Sequence, residues 1–281
     1  MSFNQQNIDT LIIEKKNEVY ITVDCDPNVQ REISEFFTFY VPGYKFMPAF
    51  RNRMWDGKIR LYSQKTKEIY FGLFPYIRAF AEERGYQIVS GEDVEINNKV
   101  DKEIVKKFSN SLGQKFEARD YQIDAIYHSL KFNRALLLSP TASGKSFIIY
   151  SLIRYYSHLI KDTPNNRILL IVPTTSLVEQ MYSDFQSYGW NVKKNCHRLY
   201  SGYSNQTDKK VLISTWQSLY KLPKKYFEQF GCVFGDEAHL FKSKSLTEIM
   251  TKLVDCKYRI GLTGRLDGAQ THKLVLEGLF G

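Results

Sequence analysis

Five apolar runs dominate the second part of this chain, and each breaks off into small or polar residues: RALLLS (134–139), RILLIVP (167–173), KVLIST (210–215), GCVFGDE (231–237) and YRIGLTG (258–264). Strands covered on both faces read as such near-continuous runs, whereas half-exposed strands alternate. The segments between them have helical length, and their pattern predicts helices over 119–131, from the turn after the first run to about Ile160, and from Ser176 to about Tyr188. The fold class is therefore α/β, with a mostly parallel sheet covered by helices. Ligands of such sheets bind beyond the carboxyl ends of the strands, so the residues that terminate the runs carry the functional information.

The first run ends in SPTASGKS (139–146). A small-residue loop leading into a helix offers unpaired N–H groups and the positive end of a dipole to an anion. Lys145 adds a full charge for phosphate oxygens, and the Ser146 hydroxyl suits Mg²⁺. The G-x-x-x-x-G-K-[ST] spacing is kept, with Ser139 in place of its first glycine. Alone, the stretch fits a phosphate cradle and a tight strand–helix corner alike. The fourth run adds a second feature, because it ends in Asp236 and Glu237. Asp236 is suited to hold Mg²⁺ and Glu237 to polarise an attacking water. Adjacent acids at a strand end are otherwise merely solvated, but their occurrence after the lysine turn, in this order, points to one magnesium triphosphate. Lys145, Asp236 and Glu237 are the candidate catalytic residues, Ser146 and Asp236 the candidate metal ligands, and Thr141, Ala142, Ser143 and Gly144 the loop.

PTASGKS, GDEAH and GLTGR resemble motifs I, II and III of superfamily 2 helicases and translocases of the DEAH type, and ARDYQIDAI resembles their Q motif. The resemblance implies a RecA-like P-loop domain over 113–281 and ATP as the nucleotide. It places Arg119, Tyr121 and Gln122 on the base side, Gln122 reading the adenine edge. It puts Pro173, Thr174, Thr175 and Gln180, and then Thr215, Trp216 and Gln217, on a nucleic-acid backbone. His239, Thr263 and Gly264 would couple hydrolysis to movement. Ala142 stands where the family has glycine, and Gly235 where it has an apolar residue. By residue type alone, Thr174, Thr175 and Thr215 also fit helix caps, His239 a solvent-facing side chain and Trp216 core packing.

The first part reads as a small α+β unit. Strands are expected over 9–14 and 18–24, a helix from Asp26-Pro27 to about Phe39, a hairpin made by GKIRLYS and KEIYFG, a helix closed by Gly85, and a strand at YQIVS. The polar stretch 91–113 reads as a linker, giving domains 1–112 and 113–281. The chain carries a net charge of +9. Residues 1–112 balance 16 basic against 16 acidic side chains, while 113–281 hold 23 and 14. Within the balanced part, Tyr44 to Lys67 holds seven basic residues and one acid. Its core, YKFMPAFRNRMWDGKIRLYS, interleaves Arg51, Arg53, Lys58 and Arg60 with aromatics such as Trp55, a chemistry that neutralises phosphates and stacks on bases. The same pattern also fits core positions for Phe46, Phe50 and Trp55 with the cations on a solvated hairpin. WDGKIRL resembles the accessory domain of the UvsW family of helicases from large tailed bacteriophages. That family likeness implies DNA as partner, branched or forked, including Holliday junctions, stalled forks and the RNA–DNA hybrids of R-loops.

No apolar run approaches the ~20 residues that span a bilayer, and the N-terminus lacks the pattern of a secretory signal. Four scattered cysteines with no CxxC pair disfavour a zinc site and a disulfide framework. A cytoplasmic monomer with no membrane partner is expected. Motors of this superfamily need a second RecA-like domain that supplies arginine fingers. No second set of strands follows Thr263, so the 281 residues are expected to be an N-terminal part with little hydrolysis of its own. Rival expectations are a translocase subunit of a restriction system and a nucleic-acid-binding module that uses nucleotide only structurally.

Overall fold

The computed structural model describes residues 9–140, 142–240, 243–265 and 270–281. The chain divides into two compact units, Met1–Glu95 with Gly268–Gly278, and Ile96–Asp267 with Leu279–Gly281. Elements are numbered in chain order. No helix among the described residues is long and apolar enough to cross a membrane.

In the first unit, β1 (Thr10–Lys15) and β2 (Tyr20–Asp24) form the expected hairpin, with Ile13 opposite Val23. The Asn17 Oδ1 accepts from Val19 N and Tyr20 N and so fixes the turn. Period-2 alternation buries Leu11, Ile13, Ile21 and Val23 on one face. Helix α1 (Pro27–Phe36) starts where predicted, capped by the Asp26 carboxylate on Asn28 N, but it stops three residues early. The chain there turns into β3 (Thr38–Tyr40), and α2 (Pro48–Arg51) follows.

The predicted hairpin of GKIRLYS and KEIYFG is reduced to one antiparallel bridge, Ser63 with Glu68, where Ser63 N donates to Glu68 O (2.9 Å). β4 (Lys58–Arg60) pairs with β3 as a separate two-stranded ribbon, whereas β5 (Glu68–Tyr70) pairs with β2. Burial explains the split: Ile69 is fully covered on the main sheet, while Ile59 remains 37% exposed. Helix α3 (Phe74–Arg84) ends at Gly85 in the left-handed region, as the sequence predicts. β6 (Gln87–Ser90) then adds in parallel to β1, completing the order β5-β2-β1-β6.

The second unit is built on six parallel strands in the order β7-β12-β11-β8-β10-β9. They are β7 (Arg134–Leu138), β8 (Arg167–Val172), β9 (Cys196–Leu199), β10 (Val211–Thr215), β11 (Phe230–Gly235) and β12 (Tyr258–Thr263). The sequence pattern missed β9, whose His197 and Arg198 break any apolar run and whose place at the sheet edge leaves them half-buried. The helices of this unit are α4 (Lys102–Asn110), α5 (Asp120–Phe132), α6 (Lys145–Leu159) and α7 (Thr175–Ser187), the short α8 (Val192–Asn195), α9 (Trp216–Leu219) and α10 (Lys224–Phe227), then α11 (Ser243–Lys252), while α12 (Gln270–Phe280) belongs to the first unit as far as Gly278 and to the second at its last two residues.

The stretch expected as a linker contains α4, which packs on α5 and places Val105 and Leu112 in the same core as Ile123 and Ile126. Its polarity is that of a one-sided helix, and the second unit therefore begins at Ile96. Arg259 of β12 is fully buried and donates to the carbonyls of Met250, Leu253, Cys256 and Leu279. It satisfies orphan acceptors near the ends of α11 and α12. The arrangement is the RecA-like α/β domain implied by the family likeness, with the informative turns along one edge of the sheet.

Candidate nucleotide site and nucleic-acid surface

The lysine turn is held from two sides. Ser139 N donates to Thr263 O (2.8 Å), tying the end of β7 to that of β12. From the start of α5, Gln122 Nε2 and the Tyr121 hydroxyl both donate to the Ser143 carbonyl, at 3.0 and 2.9 Å. Gln122 Oε1 accepts from Arg119 N (3.0 Å), and the Arg119 guanidinium donates to the Tyr121 hydroxyl (3.1 Å). Arg119, Tyr121 and Gln122 thus brace the loop, and the Gln122 amide retains one N–H and one lone pair. Gly144 has φ +76°, which favours glycine, and a Cβ there would also displace the Gln122 amide, 2.4 Å away at Nε2. Ala142 adopts φ +63° without that freedom. Thr141 lies outside the described residues.

A cleft of about 250 Å³ opens between this loop, Arg119, Gln122, Phe116 and Tyr188. Phe116 and Tyr188 carry no motif signal, although an aromatic three residues before Arg119 was a usable hint. Tyr188 packs edge-on to Phe116 and places its hydroxyl 2.9 Å from Ser146 Oγ.

The acidic pair arrives from the end of β11. Gly235 precedes it because a Cβ there would meet the Phe280 ring at 2.6 Å, which accounts for the departure from the family pattern. Asp236 is 2% exposed, and its Oδ1 has no hydrogen-bond partner among the described residues. Burial pushes its carboxyl up to about 6, opposed by the Lys145 charge and reinforced by Glu237. Glu237 is held at φ +50°. Its carboxylate pairs with the Lys145 ammonium, 92 residues away in the chain.

The second Glu237 oxygen lies 3.4 Å from Gly264 N and 3.5 Å from His239 Nδ1. His239 Nδ1 is in turn 2.7 Å from the Thr263 hydroxyl, which donates to Arg265 O. Lys145, Glu237, His239, Thr263 and Gly264 therefore form one bonded cluster. The donor set fits a magnesium triphosphate: a buried carboxylate oxygen without a partner, an ammonium whose present partner is an anion, and loop amides at a helix start.

The remaining motif residues line the same sheet edge, after β8 and its neighbour β10. Pro173 is buried, and Thr174 caps α7 by accepting from Leu177 N. Thr175 and Gln180 are exposed. Thr215 is buried with its hydroxyl 3.1 Å from that of Ser218, Trp216 is half-buried against Tyr220, and Gln217 is exposed. The available polar groups are thus Thr175, Gln180 and Gln217, while Thr174 and Thr215 spend their hydroxyls locally.

In the first unit the basic stretch is a surface feature and not core. Phe46 is 84% exposed, and Phe50 and Trp55 are half-buried. Trp55 Nε1 donates to Lys58 O (2.9 Å), the Lys58 ammonium sits 4.9 Å from the Tyr40 ring, and Arg60 pairs with Asp56. Lys58 and Arg60 are thereby engaged, whereas Arg51 and Arg53 are exposed and make no ion pair among the described residues.

Comparisons with known proteins give the family. The family described as "Type III restriction enzyme, res subunit" matches residues 115–267, and "DNA helicase UvsW, N-terminal" matches 12–91. The ATP-dependent DNA helicase uvsW of Enterobacteria phage T4 is 34% identical over 271 residues, covering 93% of this chain and 53% of that protein. The DNA 3'-5' translocase XPB2 of Sulfurisphaera tokodaii is 27% identical over 171 residues, 58% of this chain and 35% of the relative. A crystal structure of the UvsW helicase from bacteriophage T4 superposes with a TM-score of 0.87 at 31% identity, covering 97% of this chain and 98% of that one. The chain spans about half the length of the first of these curated relatives. It belongs to the superfamily 2 helicases of the UvsW type, with a motor segment of the type III restriction res-subunit family.

Proposed function

We propose that the chain is the nucleotide-binding part of an ATP- and Mg²⁺-dependent motor that acts on branched DNA: Holliday junctions, stalled forks and R-loops. The observation that carries this reading is the meeting of Lys145 and Glu237 beside the partnerless Asp236 oxygen. Asp236 and Ser146 would hold Mg²⁺, which when bound neutralises charge on the phosphates. A triphosphate entering the loop competes for the Lys145 ammonium, and Lys145 then gives up Glu237. The freed Glu237 carboxylate polarises a water, and its contact with His239 links that change to Thr263 at the end of β12. Thr175, Gln180 and Gln217 meet a nucleic-acid backbone, as do Arg51 and Arg53 of the first unit.

The transition-state arginine of such motors comes from a second domain. Such an arginine is worth about 10³ to 10⁵ in rate, by analogy with GTPases. The test is ATPase activity of a protein carrying both motor domains, with forked, linear and single-stranded DNA, beside its Lys145→Ala variant. Forked DNA should stimulate most and the variant should be silent; unchanged turnover in the variant refutes the site. The match to restriction res subunits favours one alternative, a translocase on linear duplex, which equal stimulation by linear DNA would support.

A further inference from the structure

The cations of the first unit have a place in the reading above, but its exposed apolar side chains do not. Residues 41–57 form a finger mounted on the β3–β4 ribbon, closed at its base by Val41 N donating to Gly57 O (2.9 Å). The finger is internally fixed: Tyr44 N, Phe46 N, Met47 N, Phe50 N and Met54 N all donate to carbonyls within it. The Tyr44 ring stacks on Tyr40 and meets Phe50 edge-on, both at 4.7 Å, and lies against Gly57, where a Cβ would come within 2.2 Å.

Within this ordered loop, where Tyr44 and Phe50 find partners, Phe46 is 84% and Met54 76% exposed. Phe50, Met54 and Trp55 line a cleft of about 620 Å³ together with Lys45, Arg51, Arg53 and Asp56, whose carboxylate is paired with Arg60. None of these three cations makes an ion pair among the described residues.

The three cations select a polyanion, and the apolar side chains beside them select one with an accessible apolar face. A continuous duplex hides its base faces in the stack and offers only phosphates and groove edges. An unpaired nucleotide offers both a phosphate and a bare π-face. Apolar wedges at phosphate-binding surfaces act on bases that are unstacked or can be unstacked. We infer that this finger captures an unpaired base at a DNA branch, Phe46 and Met54 meeting base faces while Lys45, Arg51 and Arg53 hold the flanking phosphates. The inference rests on the DNA reading above and narrows it to the branch itself.

The experiment uses the 281-residue chain without nucleotide. A forked DNA carries 2-aminopurine at its first unpaired position, and a continuous duplex of equal length serves as reference. Anisotropy gives affinity and 2-aminopurine fluorescence reports stacking. Phe46→Ala/Met54→Ala is compared with Arg51→Glu/Arg53→Glu, all four side chains being exposed. The apolar pair should weaken forked-DNA binding about tenfold, within the range of one lost stacked base, change duplex binding less than about twofold, and abolish the fluorescence response. The charge-reversed pair should weaken both DNAs and flatten their salt dependence. If the apolar pair changes neither DNA, or both equally, the inference is overturned. A loss confined to the charge-reversed pair would still leave the DNA reading standing; if neither pair changes binding, that reading falls for this unit as well.

Discussion

Asp236→Asn separates the site's chemistry from its cost to the fold. Burial raises the Asp236 carboxyl from 3.8 to about 6. Below about pH 4 the group is protonated in both the folded and unfolded chains and contributes nothing. Between pH 4 and 6 the folded chain keeps a proton that the unfolded chain has released, so stability falls as pH rises, and above pH 6 the full penalty is in force. A gap of about two pH units at about 1.4 kcal/mol each makes that penalty about 3 kcal/mol. Asparagine keeps the shape and cannot ionise, but its amide N–H group replaces an oxygen that already lacks a partner, at roughly 1 kcal/mol. The variant should therefore be about 2 kcal/mol more stable than the parent at pH 7.5, with the difference shrinking through pH 6 and reversing slightly near pH 4. Urea titrations in EDTA, followed by tryptophan fluorescence, measure this directly. A pH-independent difference, or a variant less stable at pH 7.5, would show that Asp236 is not buried as an unsatisfied charge. Magnesium-dependent binding of a fluorescent ATP analogue should be lost in the same variant.

Lys145→Ala should weaken that analogue more than about tenfold, since a charge-assisted contact to phosphate is removed, and equilibrium titration checks it. Arg259→Met would strip four carbonyls of their shared donor, and a loss of about 3 kcal/mol or more in urea is expected; a loss under 1 kcal/mol would mean those carbonyls find water. Ala142→Gly relieves a left-handed alanine and should raise stability by about 1 kcal/mol while leaving the loop able to bind nucleotide.

What could be read from the sequence follows burial. β8, β10, β11 and β12 announce themselves because both their faces are covered, and β7, an edge strand with Leu138 61% exposed, does so through its run of three leucines. β9 carries His197 and Arg198 at a sheet edge and gives no such signal. The first unit was legible as a set of segments but not as a pairing scheme: KIR and EIY look alike, and only the partner that covers Ile69 and leaves Ile59 open tells them apart. The linker reading failed for a related reason, since α4 shows few apolar positions, of which only Val105 is buried while Ile104 stays 65% exposed. At the site, motif order named Lys145, Asp236, Glu237 and Gln122. Phe116 and Tyr188 escaped because aromatic residues are common and only the fold brings them to the loop.

Residue type also cannot say which polar atoms are already spent. Arg60 and Lys58 stand in the same basic run as Arg51 and Arg53, yet Asp56 and Tyr40 occupy the first pair and leave the second exposed. Thr174 and Thr215 match a phosphate-backbone motif while bonding within their own turns. The nucleotide site shows the same division in sharper form. Glu237 and Lys145 satisfy one another, which keeps an isolated charge out of a poorly hydrated cleft, and the cost of that arrangement falls on the neighbouring Asp236 oxygen. A cation and a triphosphate arriving together would satisfy Asp236 and Lys145 at once and release Glu237. On the function proposed above, ligand binding and release of Glu237 would be a single exchange of partners, which neither a cation nor a triphosphate alone would complete.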